Sequence, residues 1–470
     1  MPLNLRNKYA FDPGEARSPR VVRGLMMAVA FGFVGLLGEH VLAAGEGNQP
    51  SGPKMIKKLF VDLPSSVRPL PEPLSAPHEK PGFAIRGIKG WAWTPEQYLA
   101  EIPYLKRFKM NFLTNCYASM FDVEHHPNWF DGDSNRWWED LPVGKKAAYE
   151  KVVKSAQEHG LQFCFSMNPN LCSKRLVNDG STASVDLLFK HYAWMQSLGV
   201  KWFNISLDDI TSGINASTQA KVVNEILHRL RAKDPEAQMI FCPTYYWGDG
   251  TLPKQRSYLE ELARDLDPDI YIFWTGDAVV TSRITRRAAE IFRGIVKHRM
   301  ILWDNYPVND NHPTMHLGPV TGRDADLCEV VDGYMSNPMR TQNEINRIPL
   351  ATCADYAYNP WAYDPVRSIG QAIVHLAETD AQRLALKNIV EAYPGMLIFG
   401  GGTSANPVRE RFKRKVGADS RLWREGYVRR MEALAGQFRE AFPQQFGTAR
   451  KSLADDIEWM KAALNAKPSN

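Results

Sequence analysis

The sequence predicts an α/β protein whose main domain is a (β/α)8 barrel of the TIM type, followed by a C-terminal helical appendage. From Gly82 onward, eight apolar strand-like runs alternate with segments of helical period over about 260 residues, the size of such a barrel. The runs are continuously apolar, as expected of parallel strands that are buried on both faces. A doubly wound open sheet is the alternative, but no glycine-rich phosphate-binding fingerprint follows any run.

The composition is that of a folded protein and excludes some partners and sites. Of the 470 residues, 44% are hydrophobic and 23% are charged, and the formal net charge is +5. Because this charge is mild and no dense basic face is visible, we do not expect nucleic acid as a partner. None of the six cysteines forms a CxxC motif, so a zinc or redox motif is not predicted. Cys164 and Cys242 lie inside apolar runs and are predicted to be buried thiols.

The N-terminus has the pattern of an export signal over residues 1–44. Basic residues precede an apolar stretch from Gly24 to Leu37, and Leu42-Ala43-Ala44 resembles a small-residue cleavage site. An uncleaved signal anchor is the alternative, because Glu39 and His40 interrupt the cleavage region. We therefore predict a periplasmic or secreted protein with no stable membrane span after cleavage.

Residues 45–81 are rich in proline, serine and glycine, with the run Pro69-Leu-Pro-Glu-Pro-Leu-Ser-Ala-Pro77. This composition predicts a linker or a surface-hugging arm rather than a folded domain.

The predicted barrel domain covers residues 82–385. Its strands are Phe83–Ile88, Met110–Asn115, Leu161–Met167, Val200–Leu207, Gln238–Pro243, Ile270–Trp274, Met300–Trp303 and Gly333–Ser336. Its helices are Pro95–Phe108, Lys145–His159, Val185–Leu198, Gln219–Arg231, Tyr258–Leu266, Ile284–His298 and, closing the barrel, Gln371–Ala377. Glycine or Asp-Pro breakers stand at several of the joints between helix and strand.

Residues 386–470 are predicted to form a packed helical appendage. Arg409–Phe442 and Ser452–Leu464 have the period of amphipathic helices. A dimerisation surface is the alternative, and the sequence leaves the oligomeric state open.

Polar and aromatic residues follow the predicted strands. They include Asn115, Tyr117, Asn168, Asn170, Asp208, Asp209, Tyr246, Trp247, Trp274, Asp304, Asn305, Asp310 and Asn337. Barrel active sites lie at these strand ends, and such side chains hydrogen-bond hydroxyls and amides and stack on rings. Lysine and arginine are scarce there, so a phosphorylated substrate is not expected. His125-His126 has no matching carboxylate pattern and no G-x-S-x-G elbow occurs, so neither a metal site nor a serine esterase is predicted.

Asp208 and Asp209 stand where the apolar run from Trp202 to Leu207 ends. Neighbouring strand residues face opposite ways, but this alternation fails where a strand gives way to a loop, so both carboxylates can reach one cleft. Repulsion and burial then favour one protonated acid beside one anion, which is what the breaking of a glycosidic bond requires. The alternative is that one of the two aspartates simply caps the following helix.

These motifs together resemble glycoside hydrolase family 84, the family of bacterial β-N-acetylglucosaminidases and of enzymes that remove O-linked N-acetylglucosamine from proteins. The similar blocks are Ser206-Leu-Asp-Asp-Ile210, Pro243-Thr-Tyr-Tyr246, Phe273-Trp-Thr-Gly276, Trp303-Asp-Asn-Tyr-Pro-Val-Asn-Asp310, Leu317-Gly-Pro319, Asn337-Pro-Met339 and Ala354-Asp-Tyr356. They stand in the family's order along most of residues 82 to 365. Each block alone is weak evidence for the family, whereas the whole set is specific to it.

The resemblance implies a retaining mechanism in which the substrate's 2-acetamido oxygen attacks the anomeric carbon. By position, Asp208 orients the acetamido N–H and stabilises the oxazoline-like intermediate, while Asp209 is the general acid and then the general base. The resemblance also assigns the binding of the sugar hydroxyls and the acetamido group to Asn305, Asp310 and Asn337. It assigns the lining of the acetamido pocket to Tyr246, Trp274 and Trp303. No cofactor is implied, and the expected partner is an N-acetylhexosamine-containing glycan or glycoconjugate.

Two departures from the family pattern concern the first two strands. The turn after the first strand reads Arg86-Gly-Ile-Lys-Gly-Trp-Ala-Trp93, which differs from the family's form, and Gly87 in it is a candidate sugar-binding residue. After the second strand the family has a lysine that contacts the sugar, and this sequence has none there. Either Asn115 or Tyr117 takes its place, or the preferred sugar differs. A sugar-binding barrel without catalysis, and a glycosidase with a carboxylate nucleophile, are therefore the alternative functions.

Overall fold

The computed structural model describes residues 53–121, 133–414 and 420–466. Within them, eight parallel strands form a closed barrel in the order β1-β2-β3-β4-β5-β6-β7-β8. The predicted barrel is confirmed, and so are all eight predicted strands. The predicted signal peptide and the His125-His126 pair lie outside the described residues.

The strands are β1 (Ile85–Lys89), β2 (Phe112–Thr114), β3 (Gln162–Met167), β4 (Trp202–Ser206), β5 (Gln238–Cys242), β6 (Tyr271–Trp274), β7 (Met300–Pro307) and β8 (Gly333–Asn337). The helices that follow strands β1 to β6 and β8 are α1 (Pro95–Arg107), α2 (Val143–Glu158), α3 (Thr182–Ser197), α4 (Ala216–Arg231), α5 (Pro253–Asp265), α6 (Arg286–Val296) and α7 (Asn343–Tyr358). The later helices are α8 (Pro365–Leu376), α9 (Asp380–Ala392), α10 (Met396–Phe399), α11 (Pro407–Arg414), α12 (Ser420–Ala441) and α13 (Gly447–Asn465).

The strands are buried on both faces, which explains their continuous apolar sequence. Alternate side chains point into the barrel and form one apolar cluster, which includes Phe112, Phe273 and Met335. The side chains between them pack against the helices in a second and larger cluster. The alternation of side chains along each strand therefore decides which of its residues point into the barrel.

Local signals in the sequence set many of the helix ends. Thr94 and Gln97 form a capping box at the start of α1. The side chain of Asn215 caps α4 by accepting the backbone N–H of Thr218 at 2.8 Å. Gly160 follows α2 in the left-handed region, with a φ of 69°, where glycine is favoured.

Helix α7 is absent from the helices that the sequence predicts. Twelve of its sixteen residues are buried, so it has no wide polar face and no clear amphipathic period. The predicted last barrel helix, Gln371–Ala377, is the second half of α8. The predicted domain boundary at residue 385 falls inside α9.

The described part of the proline-rich segment, residues 53–81, lies along helices α8 and α9 as an arm. Backbone N–H groups of the arm donate to side chains of the helices, at 2.8 Å from Val61 to Glu391 and at 2.9 Å from Arg68 to Gln371. Of the two interpretations of this segment, the surface-hugging arm fits these contacts.

The C-terminal appendage is helical, as the sequence predicts. Residues 409–442, predicted as one helix, contain most of α11 and all of α12, with residues 415–419 outside the described part. Helix α13 is joined to the preceding segments by the buried Asp456, which accepts the Tyr393 hydroxyl at 2.7 Å and pairs with Arg409 at 2.6 Å. In the described part of the chain, no helix is long and apolar enough to cross a membrane.

A buried ion pair fixes strand β7 to the loop before β8. Arg323 donates to both oxygens of Asp304, at 2.6 and 2.8 Å, and the Tyr334 hydroxyl donates to the same carboxylate at 2.8 Å. Both charged side chains are almost fully buried, at 2% and 1% exposure. Because Asp304 lies between Trp303 and Asn305, this pair also fixes the backbone of two predicted site residues.

Replacing Arg323 by methionine should lower the free energy of unfolding by about 3–5 kcal/mol, because it leaves the Asp304 carboxylate buried without its partner. Denaturant unfolding measures this loss. The exposed pair of Arg299 and Asp332, from the other end of β7, is the matched control. Replacing Arg299 by methionine should cost about 1 kcal/mol or less. Equal losses in the two variants would contradict a special role for the buried pair.

Candidate active site

The two adjacent aspartates lie at the carboxyl end of β4, on the rim where barrel active sites are found. Leu207 continues the strand pairing by donating to the carbonyl of Cys242 at 2.8 Å, and its side chain packs toward the helices. By alternation, Asp208 then points to the interior. Helix α4 begins only at Ala216 and is capped by Asn215. The alternative that an aspartate of the pair caps the next helix is therefore wrong.

Asp208 is fully buried and held by side chains from the two preceding strand ends. Its Oδ2 accepts the Tyr117 hydroxyl at 2.6 Å, a short hydrogen bond of the kind that a carboxylate forms. The Asn168 amide donates to its Oδ1 at 3.3 Å and to its carbonyl at 2.9 Å. These hydrogen bonds fix the position of the Asp208 carboxylate.

Asp209 adopts a left-handed backbone conformation, with a φ of 56°, which is uncommon for a residue other than glycine. Its Oδ1 accepts the Tyr246 hydroxyl at 3.0 Å, although solvent still reaches the carboxylate. The turn brings its carboxylate back to the side of Asp208, as the predicted failure of strand alternation requires. Strained conformations of this kind are frequent at active sites.

The environment of Asp209 favours its protonated form. The surrounding protein leaves its carboxylate only partly hydrated and the neighbouring charge of Asp208 adds repulsion, which together raise the pKa of Asp209 to about 7. The Tyr246 hydroxyl and Lys89 oppose this rise. A carboxyl group that keeps its proton near neutral pH can act as a general acid beside an anion.

Four more predicted residues come together beside the pair. Tyr246 packs against Trp303, with ring centroids 6.1 Å apart. Asn305 accepts from the amide of Asn337 at 2.8 Å and donates to the carbonyl of Val279 at 2.6 Å. Within the described residues, the Trp303 Nε1–H and the Asn337 Oδ1 are buried without a hydrogen-bond partner. A free donor and a free acceptor on adjacent strands can bind the polar groups of a substrate.

Asp310 follows strand β7 and lies in the same electrostatic environment. Its backbone is also left-handed, with a φ of 48°. Burial raises its pKa, and its negative charge contributes to the raised pKa of Asp209. The predicted position of Asp310 near the pair is consistent with this interaction.

Three predicted site residues do not reach the aspartate pair, and the first two are Trp274 and Asn115. The Trp274 ring is on the outer side of the barrel, 5.8 Å from Phe292 of α6, because the neighbouring Phe273 takes the inward position. Asn115 is fully buried and uses its amide to pair with the backbone of Ser166, at 2.7 and 2.9 Å. The structure therefore does not bring these two side chains to the aspartate pair, against the expectation for sugar-binding residues.

Gly87 lies in the middle of β1, two residues below its end, rather than at the rim. A Cβ atom at this position would lie 2.0 Å from the carbonyl oxygen of Phe112, so the glycine allows the first two strands to pack closely. The structure gives Gly87 this role in packing and places it away from the strand ends where a sugar would bind.

The sequence analysis placed Tyr117 and Asn168 at strand ends, with Tyr117 as one candidate substitute for the family lysine, but it did not predict that they hold Asp208. It missed Val279, which packs against the cluster that contains Trp303, and Lys89, whose ammonium nitrogen lies over the Trp303 ring. The sequence signal of Tyr117, Asn168 and Lys89 is their position just after the ends of apolar runs. Val279 has no such signal, because only its position after β6 brings it to Asn305.

Among the residues that the structure describes, no group of three or more histidine, cysteine, aspartate or glutamate side chains is arranged to hold a metal ion. All six cysteines are free thiols, and Cys164 and Cys242 are buried as predicted. The chemistry that the site can perform with its own residues is proton transfer by Asp209 next to the charge of Asp208.

Comparison with protein families agrees with this geometry. The family model described as NAGidase, beta-N-acetylglucosaminidase, matches residues 84–391, which is more than half of the chain. The chain belongs to the β-N-acetylglucosaminidase family of glycoside hydrolases. The matched residues contain all eight strands and both aspartates. The predicted family resemblance is thereby confirmed.

Two curated relatives in this family are the Protein O-GlcNAcase of Rattus norvegicus and that of Mus musculus. Each is 27% identical over 285 residues, which are 58% of this chain and 29% of the relative. The chain thus spans less than a third of the length of these relatives.

Among solved structures, an O-GlcNAc hydrolase variant from Thermobaculum terrenum has a TM-score of 0.64 to this β-N-acetylglucosaminidase family member. The identity is 23%, and the match covers 82% of this chain and 84% of that one. At this identity the likeness supports the fold, including the barrel with its additional helices.

Proposed function

We propose that this family member removes terminal β-linked N-acetylglucosamine from a glycan or glycoconjugate, with retention of configuration. The single observation that carries the proposal is the pair at the end of β4, with Asp208 held by two hydrogen-bond donors and the pKa of Asp209 raised to about 7. Two carboxyl groups in these states supply an acid and an anion to one sugar.

In the first step, the substrate's acetamido oxygen forms a bond to the anomeric carbon, and the bond to the leaving oxygen breaks. Asp209 gives its proton to that oxygen as it leaves. Asp208 accepts a hydrogen bond from the acetamido N–H and stabilises the positive charge that develops on the ring formed by the acetamido group. In the second step, the Asp209 carboxylate takes a proton from water, whose oxygen then opens this ring at the anomeric carbon.

The surrounding residues support a sugar with an acetamido group. Tyr246 and Trp303 give an apolar wall that suits a methyl group. Asn305 and Asn337 are amides at the ends of neighbouring strands, and the unpartnered atoms of Trp303 and Asn337 offer one donor and one acceptor. Hydroxyl and amide groups of the substrate would satisfy them.

The test is to compare turnover of aryl β-N-acetylglucosaminide, β-N-acetylgalactosaminide and β-glucoside. We expect the N-acetylglucosaminide to react fastest and the plain glucoside to react very slowly, because the glucoside has no acetamido oxygen to attack the anomeric carbon. Equal turnover of the glucoside would contradict acetamido participation and would favour a carboxylate nucleophile. Binding without turnover would favour the sugar-binding alternative.

We further propose that the protein is exported, on the basis of the basic and apolar pattern of residues 1–44. Expression of the full chain followed by N-terminal sequencing of the mature protein would test this. Cleavage near Ala44 in an exported fraction is the expected result, and a full-length N-terminus in the cytoplasmic fraction would contradict it.

A further inference from the structure

Lys89 is a buried lysine in the interior of the barrel. It is the last residue of β1 and is only 1% exposed. Its ammonium nitrogen lies 3.8 Å from the centroid of the Trp303 ring, 4.6 Å from that of Tyr117 and 5.4 Å from that of Phe273. Ring faces attract a cation, most strongly where water is excluded. Lys89 therefore lies in an aromatic cage at the floor of the sugar site.

The cage is connected to the aspartate pair through two contacts. The Lys89 ammonium donates to the Ser206 hydroxyl at 3.4 Å, two residues before Asp208 on β4. Tyr117, one wall of the cage, donates its own hydroxyl to Asp208 at 2.6 Å. No ion pair found among the described residues includes Lys89. The carboxylates of the pair are thus the negative charges that its cation faces at longer range.

We propose that Lys89 is a positioning residue for the aspartate pair, whose cation holds the Tyr117 and Trp303 rings beneath the sugar and balances the negative charge of Asp208 and Asp209. This inference rests on the proposed function, because it assigns Lys89 a role in that reaction. Lys89 does not touch the substrate in this arrangement, since its side chain is closed off by the rings.

The charges around the pair make the proposal testable by pH dependence. The titratable groups that face the pair from the neighbouring strands are Lys89, Tyr117, Cys242, Tyr246 and Asp310. Burial raises the pKa values of the two tyrosines and of the cysteine thiol well above their usual values, so these three groups stay neutral in a neutral-pH assay. The Lys89 cation is then the positive charge in this set, and it lowers the pKa of Asp209.

Replacing Lys89 by methionine keeps an unbranched chain against the rings and removes the charge. The alkaline limb of the pH profile of kcat/KM, which reports the Asp209 pKa, should move to higher pH by about half a unit to one unit, because Asp209 loses a cation that favours its ionised form. The profile is measured on an aryl β-N-acetylglucosaminide.

The matched control is Lys109→Met, since Lys109 also lies over an aromatic ring, that of Tyr358 at 4.4 Å, but at the other end of the barrel. Its alkaline limb should coincide with that of the wild type.

A purely structural Lys89 would give a different result, namely a lower kcat/KM and melting temperature with the alkaline limb unmoved, and this would overturn the proposal. Should the Lys89→Met protein fail to fold, Lys89→Gln removes the charge and keeps a polar side chain near the Ser206 hydroxyl. Its alkaline limb should move to higher pH in the same way, so an unmoved limb in this variant would also overturn the proposal. A wild-type protein that hydrolyses no N-acetylglucosaminide at any pH would instead contradict the proposed function.

Discussion

Replacing Asp208 by asparagine should lower kcat and kcat/KM together by about 10²- to 10³-fold, with little dependence on the leaving group. The asparagine keeps the shape of the side chain but removes the charge that stabilises the positive intermediate. In the proposed mechanism Asp208 acts on the acetamido group rather than on the leaving oxygen, so activated and poor aryl leaving groups should lose the same factor. Steady-state kinetics on both substrates measures the effect.

The matched control for this variant is Asn215→Ala, which removes the residue that caps helix α4 after the same strand. Loss of a cap should cost about 0.5–2 kcal/mol of stability and leave turnover close to normal. We expect the opposite pattern in Asp208→Asn, with a similar melting temperature and greatly reduced turnover. A lowered melting temperature with normal turnover in Asp208→Asn would exclude its catalytic role.

Replacing Asp209 by asparagine should slow substrates with poor leaving groups by about 10²- to 10⁴-fold. Substrates with activated aryl groups should lose far less in the first step, because a good leaving group hardly needs a proton. The comparison is made on a series of aryl N-acetylglucosaminides of increasing leaving-group pKa. Equal losses across the series would show that Asp209 is not the acid.

The pH profile gives a second measurement on the same residue. The general acid must be protonated, so kcat/KM of the wild type should fall as the pH rises through the Asp209 pKa of about 7. In Asp209→Asn this alkaline limb should disappear, since asparagine does not titrate. If the limb stays at the same pH in the variant, another group is responsible for it.

The eight strands and the aspartate pair could be predicted from the sequence because their signals are local. A strand of a parallel barrel is buried on both faces, and this alone makes its sequence a continuous apolar run between loops. The run that ends in Asp208 and Asp209 placed two carboxylates at a strand end, and the resemblance to the family assigned their roles. In contrast, α7 has little local signal, because burial on nearly all sides removes the amphipathic period.

The sequence by itself therefore determined the barrel, the family and the position of the aspartate pair at the end of β4. Only the tertiary structure decided which way the other rim residues face. A shift of one residue along a strand turns a side chain to the opposite face, so Trp274 packs outward against α6 while Phe273 points inward. Lys89 is the clearest case: its cation is buried because barrel closure brings Trp303, Tyr117 and Phe273 from three other strand ends around it, and no local pattern contains that information.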